Sequence, residues 1–261
     1  MIHGPFYGNT TFYASLNNAS LHFNGIKWYN QSVFYAIEVV ENKVYKYDGE
    51  FTMFCQHPDG LNGVSNDLVL FHDKIFLSGQ TFKHDTQIGD GQLWMCDEYG
   101  NSKIIDKLGR TNGIAIHPDG NYLYLSEAFN LDNVPVSNKL YKYPLSINGD
   151  VLLDKQLVVD FEDFDQSQNI DIDGIRFDVD NKIYISRNGA ERISVFTDVG
   201  DFVKNYYTSF LNPASLEIGN KKMYVVGRCE DDFGQGLGCI DEFDADADGD
   251  IYTRIKRKNS K

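Results

Sequence analysis

Short stretches of alternating apolar and polar residues recur along the whole chain, separated by polar turns. Five clear copies begin at Asn24, Asn66, Asn112, Asp173 and Ala214. Each has an alternating strand, a polar turn and a second strand that carries an aromatic residue ten to twelve positions after the first residue. Alternation with period two is typical of β-strands, and no helical period persists over a long window.

The copies are spaced like the blades of a β-propeller. A sixth and weaker copy opens the chain at His3, so that the first positions are separated by 21, 42, 46, 61 and 41 residues. Periods of 40–50 residues, each with a third strand such as Lys43–Tyr47 or Arg192–Phe196, fit propeller blades. We therefore predict one all-β domain over 1–261, a six-bladed propeller whose first blade is short or incomplete. The 61-residue gap predicts an acidic loop over one face, from Asp160 to Asp171.

The first residue of each copy is the candidate for chemistry. In a propeller the innermost strands begin near the central axis, so their first side chains converge at one end of the channel. Four successive first positions are Asn24, Asn66, Asn112 and Asp173. Amide and carboxylate oxygens suit Ca²⁺ or Mg²⁺, and they also accept Mn²⁺ or Fe²⁺. The alternative is that these residues only cap turns at the strand starts, as Asn and Asp commonly do.

These segments resemble a known family, the senescence marker protein/gluconolactonase/luciferin-regenerating enzyme family of six-bladed propellers. The resemblance runs from about Asn24 to Asp241, and it is strongest in the following stretches: Ser65–Leu68, Thr111–Gly120, Asp173–Phe177 and Asn212–Leu216.

The resemblance implies a hydrolase that opens a lactone with the help of one divalent cation, most often Ca²⁺, with Fe²⁺, Mn²⁺ or Zn²⁺ as alternatives. It assigns the cation to Asn112 and Asp173, with Asn66 as a further ligand or substrate contact and Asn24 lining the pocket. Asp173 is the implied catalytic residue, as the general base or as the group that orients the water.

Two positions depart from the family pattern. The family's first-blade Glu precedes Gly-Pro, and here His3 stands in that place. His3 is a poor ligand for Ca²⁺ but an acceptable one for Fe²⁺ or Zn²⁺. The Arg that often stands two residues before the blade-three Asn is Val64 here. The alternatives to a lactonase are therefore a phosphotriester hydrolase on the same metal centre and a non-catalytic propeller that binds a metal or a sugar.

Charge and composition narrow the partners. The net charge of −14 disfavours nucleic acid, and no run of 18 apolar residues predicts a membrane span. We expect a small lactone or ester as the ligand. The absence of a readable secretion signal predicts a cytoplasmic protein. Cys229 and Cys239 flank a glycine-rich loop and either pair or stay free, whereas Cys55 and Cys96 are isolated in the sequence.

Overall fold

The computed structural model describes residues 22–30, 32–165, 170–230 and 236–251 and, as backbone only, the strand residues 2–3 and 11–12. Antiparallel sheets account for nearly all regular structure. The strands of the described residues run in chain order as follows: β1 (Ile2–His3), β2 (Thr11–Phe12), β3 (Phe23–Trp28), β4 (Val33–Glu38), β5 (Lys43–Asp48), β6 (Phe51–Gln56), β7 (Leu68–Phe71), β8 (Lys74–Gln80), β9 (Gly91–Cys96), β10 (Ser102–Leu108), β11 (Arg110–Ile116), β12 (Tyr122–Leu131), β13 (Val134–Pro144), β14 (Gln156–Asp160), β15 (Asp171–Phe177), β16 (Ile183–Asn188), β17 (Arg192–Phe196), β18 (Phe202–Tyr207), β19 (Asn212–Gly219), β20 (Lys222–Glu230) and β21 (Gly236–Asp244).

The strands form five consecutive blades of an all-β propeller. Four blades have four strands each, β3–β6, β7–β10, β11–β14 and β15–β18, and the fifth is the three-stranded sheet β19–β21. Within each blade the strands pair with their neighbours in chain order, which is the up-and-down arrangement of propeller blades. The predicted third strands at Lys43–Tyr47 and Arg192–Phe196 are confirmed as β5 and β17.

Six blades were predicted, and the structure has five within its described residues. The segment that was to form the first blade contributes β1 and β2, two strands of two residues that pair only with each other. A four-stranded blade such as β3–β6 occupies residues 23–56, whereas β1 and β2 together contribute four residues to strands.

The hydrophobic core lies between blades rather than within one sheet. Four clusters of buried side chains fill the four interfaces between consecutive blades, around Trp94, Tyr143, Phe196 and Met223 respectively. Blades pack face to face because each sheet buries apolar residues on both faces, as the fully buried strand β9 shows.

Two short helical elements interrupt the strands. The acidic segment predicted as a loop begins with a one-turn helix, α1 (Phe161–Asp165), and a short 3₁₀ turn spans Gly60–Asn62. Phe161 anchors α1 because its ring is fully buried against Phe196. No helix in the described part of the chain is long and apolar enough to cross a membrane.

All four cysteines are paired. Cys229 and Cys239 join β20 to β21, which settles the alternative left open by the sequence. Cys55 and Cys96 also form a disulfide, although 41 residues separate them. This bond connects β6 of the first described blade to β9 of the next. The sequence does not indicate this pairing, because residues that meet between neighbouring blades are far apart along the chain.

Candidate functional site

A cavity of about 710 Å³ lies on the propeller axis. Its wall combines residues near the start of the innermost strands with residues further along these strands and at the ends of second strands, such as Gln80 and Asn188. Asn24, Asn66, Asn112 and Asp173 all line it, so the structure brings together the four described residues that the repeat singled out. The fifth predicted site residue, His3, lies in β1, and its side chain is outside the described residues.

Local irregularities expose these first positions to the axis. The pairing of the inner strand with its neighbour shifts between Phe23 and Ile26, between Thr111 and Ile114, and between Ile172 and Ile175. Such bulges leave residues out of the ladder and redirect their side chains. Asn24, Asn112 and Asp173 occupy these shifted positions, which explains why they face the cavity.

Buried serines at the end of each repeat fix the backbone of the first positions. Ser78, Ser126 and Ser186 lie on the second strands of three successive blades. The Ser78 hydroxyl donates to the carbonyl oxygen of Asn112, and the amide of Asn112 donates to Ser126 Oγ at 3.2 Å. Ser78 therefore links its blade to the start of the next, and Ser186 does the same by donating to the carbonyl oxygen of Ala214 at 3.0 Å.

Asp173 is the central acid of the cavity. Its carboxylate is hydrogen-bonded to the side chains of Asn112 and Asn188. Burial raises the pKa of Asp173 to about 8, and the nearby carboxylates of Asp171 and Asp67 act in the same direction. The two amide hydrogen bonds oppose the shift but do not cancel it.

Asn24 and Asn66 form a second polar pair on the wall. The Asn24 amide nitrogen lies 2.6 Å from Asn66 Oδ1 and 3.2 Å from the Asn66 carbonyl oxygen. Asn24 is exposed to the cavity, whereas Asn66 is partly buried. The pair therefore presents amide groups that can exchange hydrogen bonds with a polar ligand.

Sequence reasoning missed Arg110 and Asp171. Arg110 is fully buried, and its Nη2 lies 2.6 Å from Asp171 Oδ2 and 2.9 Å from Asn130 Oδ1. Arg110 also donates to Gln80 Oε1 at 3.1 Å. It therefore ties three blades together behind the cavity wall. The available signal was strand alternation, since Arg110 and Asp171 stand two residues before Asn112 and Asp173, on the same strands.

Asn188 and a group of charged residues were also missed. Asn188 is on β16, outside the innermost strands that the repeat highlighted. Lys27, Asp67 and Arg176 line the cavity as well. Lys27 and Arg176 follow the first positions Asn24 and Asp173 by three residues, which places them deeper along the axis.

The donor set fits a hard divalent cation. The side chains of Asp173, Asn112 and Asn188 meet at one point, where three carboxylates influence one another. The two amides donate to Asp173 in the absence of a cation, and a rotation of each amide would turn its oxygen toward a cation at that point. Among the described residues no Lys or Arg side chain is paired with Asp173, because Arg110 pairs with Asp171 and Lys27 lies near Asp67. A cation would supply the positive charge that this carboxylate lacks.

Comparison with solved structures shows the same fold. Regucalcin from Agrobacterium tumefaciens, a calcium-binding protein, superposes with a TM-score of 0.69 at 16% identity over 92% of this chain and 81% of its own. A putative gluconolactonase gives 0.61 at 17% identity over 87% of this chain and 76% of its own. Luciferin-regenerating enzyme gives 0.60 at 10% identity over 87% and 92%. At such identities the similarity establishes the fold alone.

The sequence itself identifies the family. No curated protein matches the chain significantly. Residues 48–227, which include most of the repeat and both Asn112 and Asp173, match the profile of the SMP-30/Gluconolactonase/LRE-like region. This match supports a lactonase-like function at the level of the family. Because it covers more than half of the chain, the protein belongs to the SMP-30/gluconolactonase/LRE-like family.

Proposed function

We propose that this protein is a cation-dependent lactonase that opens the ring of a small polar lactone by hydrolysis. One observation carries the proposal: Asp173 is a carboxylate without a basic partner among the described residues, and it contacts two amide side chains inside a large polar cavity. A cavity of about 710 Å³ is within the range used for small ligands.

The proposed cation ligands are Asp173, Asn112 and Asn188, with Asn66 and His3 as the further candidates from the sequence. Oxygen ligands favour Ca²⁺, while a contribution from His3 would favour Fe²⁺ or Zn²⁺. When bound, the cation polarises the lactone carbonyl and makes a nearby water more acidic.

The side chains of the cavity have separate proposed roles. Asp173 orients the attacking water and accepts its proton at the carboxylate. Asn24 and Asn66 bind the hydroxyl groups of the substrate, because their paired amides offer both donors and acceptors. Arg110 positions the wall through Asp171 and Gln80 without reaching the cavity.

The direct test is an assay of lactone hydrolysis by chelator-treated protein, with Ca²⁺, Mn²⁺, Fe²⁺ or Zn²⁺ added back. We expect turnover only with a cation, and loss of turnover in Asp173→Asn with the fold retained. Asp180→Asn, at an exposed acid in the turn between β15 and β16, is the matched control and should keep full activity. Full activity of Asp173→Asn would refute the assignment.

The same assay separates the two alternatives. A phosphotriester panel that outperforms the lactone panel would favour an organophosphate hydrolase on the same centre. Binding of a cation, seen as a rise in thermal stability, without turnover on either panel would favour the non-catalytic propeller. His3 in the place of the family's Glu is the sequence feature behind that second alternative.

The compartment is a separate question. The cytoplasmic location inferred from the sequence stays a prediction, and the two disulfides favour an oxidising compartment instead. Alkylation of the cysteine thiols, before and after reduction, in protein isolated from its native host would distinguish the two compartments. Four thiols that react only after reduction would support the oxidising compartment, and four that react without reduction would support the cytoplasm.

A further inference from the structure

Lys27 lies deep in the axial cavity with an unusual set of neighbours. Its side chain lines the cavity on the third position after Asn24, yet only 5% of the residue is exposed. Lys27 is thus shielded from bulk solvent but open to whatever enters the cavity. A lysine that is buried in a cavity often reacts as a nucleophile, because burial lowers the pKa of its amine.

The charged groups around Lys27 do not hold it in a tight ion pair. Its Nζ is 3.5 Å from Asp67 Oδ1. The other carboxylate oxygen of Asp67, Oδ2, is 3.9 Å from Arg176 Nη1. Arg176 has its closer acidic partner in Glu217, at 3.1 Å. Asp250 shares a small space below the cavity with Lys27 and Arg176. The carboxylate of Asp67 therefore makes long contacts with both Lys27 and Arg176 and a close ion pair with neither.

This environment favours the neutral amine. Burial lowers the pKa of Lys27 to about 8, and the charge of Arg176 acts in the same direction against Asp67 and Glu217. At pH 7.5 about a quarter of the Lys27 side chains would be neutral, compared with about one in a thousand for a lysine of ordinary pKa. Only the neutral amine has the lone pair that attacks a carbonyl carbon.

We propose that Lys27 is a reactive amine that forms an imine with small hydroxylated aldehydes and ketones that enter the cavity. The Lys27 nitrogen attacks the carbonyl carbon, and the carbonyl oxygen takes up a proton to give a carbinolamine. The nitrogen then loses a proton to the Asp67 carboxylate, 3.5 Å away, and Asp67 passes this proton to the hydroxyl, which leaves as water. The resulting iminium loses its remaining N–H proton to solvent, which balances the proton that the carbonyl oxygen took up. One carbonyl compound and one amine give one imine and one water, without an oxidant or reductant.

The ligand class follows from the lining. Around Lys27 the wall carries amide, hydroxyl and carboxylate groups, including Asn24, Asn66 and Ser215. Polar groups of this kind bind hydroxyl groups well, so an aldehyde with neighbouring hydroxyls fits better than an apolar one. The chemistry needs no metal and does not depend on lactone hydrolysis.

The test is reductive trapping with D-glyceraldehyde and cyanoborohydride at pH 7.5, followed by peptide mass spectrometry. The exposed lysines Lys103 and Lys107 serve as internal references. We expect Lys27 to be modified at least tenfold faster than either reference, with a rate that rises with pH to a plateau above about pH 8. Equal or slower modification of Lys27 would overturn the proposal.

Two variants test whether the fast modification depends on the Lys27 amine and on its lowered pKa. Lys27→Arg preserves the positive charge but cannot form an imine, so the fast modification should disappear while thermal stability is retained. Arg176→Met removes the cation that lowers the pKa of Lys27, and it should slow trapping at Lys27 severalfold without changing Lys103. An unchanged rate at Lys27 in a folded Arg176→Met protein would contradict the electrostatic basis of the proposal.

Discussion

Gly113 lies directly against the backbone of Asp173 in the next blade. A Cβ atom on Gly113 would be 2.1 Å from the carbonyl oxygen of Asp173 and 2.6 Å from Cγ1 of Ile175. The inner strands β11 and β15 therefore approach one another as closely as they do only because the second residue of the repeat is glycine. This contact sets the distance between the two first positions Asn112 and Asp173.

Gly113→Ala should damage both stability and the site. Overpacking against backbone cannot be relieved by a side-chain rotation, so we expect a loss of about 2–3 kcal/mol in the free energy of unfolding. The displaced Asp173 should also lose most of the stabilisation that a divalent cation gives. Denaturant unfolding with and without Ca²⁺ measures both effects.

Gly238→Ala is the control for that substitution. Gly238 lies in β21, and a Cβ there would meet nothing within 4 Å. We expect a change within about 0.5 kcal/mol, as for most surface substitutions. Equal effects of the two variants would show that the close approach at Gly113 is not what holds the blades together.

The repeat is predictable from the sequence because it is local. Strand alternation and the turn after each first strand are properties of fewer than twenty consecutive residues, and the glycine after Asn112 or Asp173 belongs to the same short pattern. Convergence of the first positions then follows from propeller geometry. For this reason the amino-acid sequence is sufficient to predict that Asn24, Asn66, Asn112 and Asp173 line one cavity.

The remaining features depend on contacts between blades. Arg110 reaches Asp171 across 61 positions, and Cys55 bonds Cys96 across 41. A single sequence does not indicate either contact, because the partners lie in different blades. The low pKa of Lys27 likewise arises from burial by distant parts of the chain and from the charge of Arg176, which outweigh the opposite effects of Asp67 and Glu217.

Arg110→Met should destabilise the protein because it leaves the carboxylate of Asp171 without its basic partner. The Arg110 and Asp171 side chains are 1% and 21% exposed, so the pair is shielded but not fully desolvated. We expect a loss of about 2–3 kcal/mol, smaller than for a fully buried pair. Urea unfolding of Arg110→Met, Asp171→Asn and the double variant measures the coupling.

The double variant is the informative one. If the cost comes from an unpaired carboxylate, Arg110→Met with Asp171→Asn should be more stable than the sum of the single effects predicts, by about 1–2 kcal/mol. Strict additivity would mean that Arg110 acts through its other contacts, with Gln80, Asn130 and the ring of Phe82.

Removal of the disulfide between blades should cost more than removal of the one within a blade. Cross-linking restricts the unfolded chain according to the length of the loop that it closes, and the separations are 41 residues for Cys55–Cys96 and 10 for Cys229–Cys239. The chain-entropy relation gives about 4 and about 2.7 kcal/mol respectively. Unfolding of Cys55→Ala/Cys96→Ala and Cys229→Ala/Cys239→Ala compares them, and a larger loss for the second pair would contradict the expectation.

The contribution of Asp173 to the stability of the cation-free protein should fall as the pH rises from about 4 to about 8. The pKa of Asp173 is about 8 in the folded protein, against about 3.9 in an unfolded chain. Between these values the folded state binds the proton and the unfolded state does not, so each step up in pH favours unfolding. The contribution is complete below about pH 4 and is lost as the pH passes 8. Lys27 acts in the opposite direction between about pH 8 and its usual value, and the lowered pKa of His57 and the raised pKa of Asp178 contribute at lower pH, so the effect of Asp173 is measured as a difference between two proteins.

Asp173→Asn provides the comparison, because an amide of the same shape does not titrate. In chelator, the wild-type protein should lose thermal stability relative to Asp173→Asn as the pH is raised from 5 to 8, and added Ca²⁺ should restore the wild type alone. Because all other titrating groups are common to both proteins, the difference between the two pH profiles reports the carboxyl of Asp173. Parallel profiles would mean that this carboxyl keeps an ordinary pKa, and an equal response of both proteins to Ca²⁺ would place the cation elsewhere.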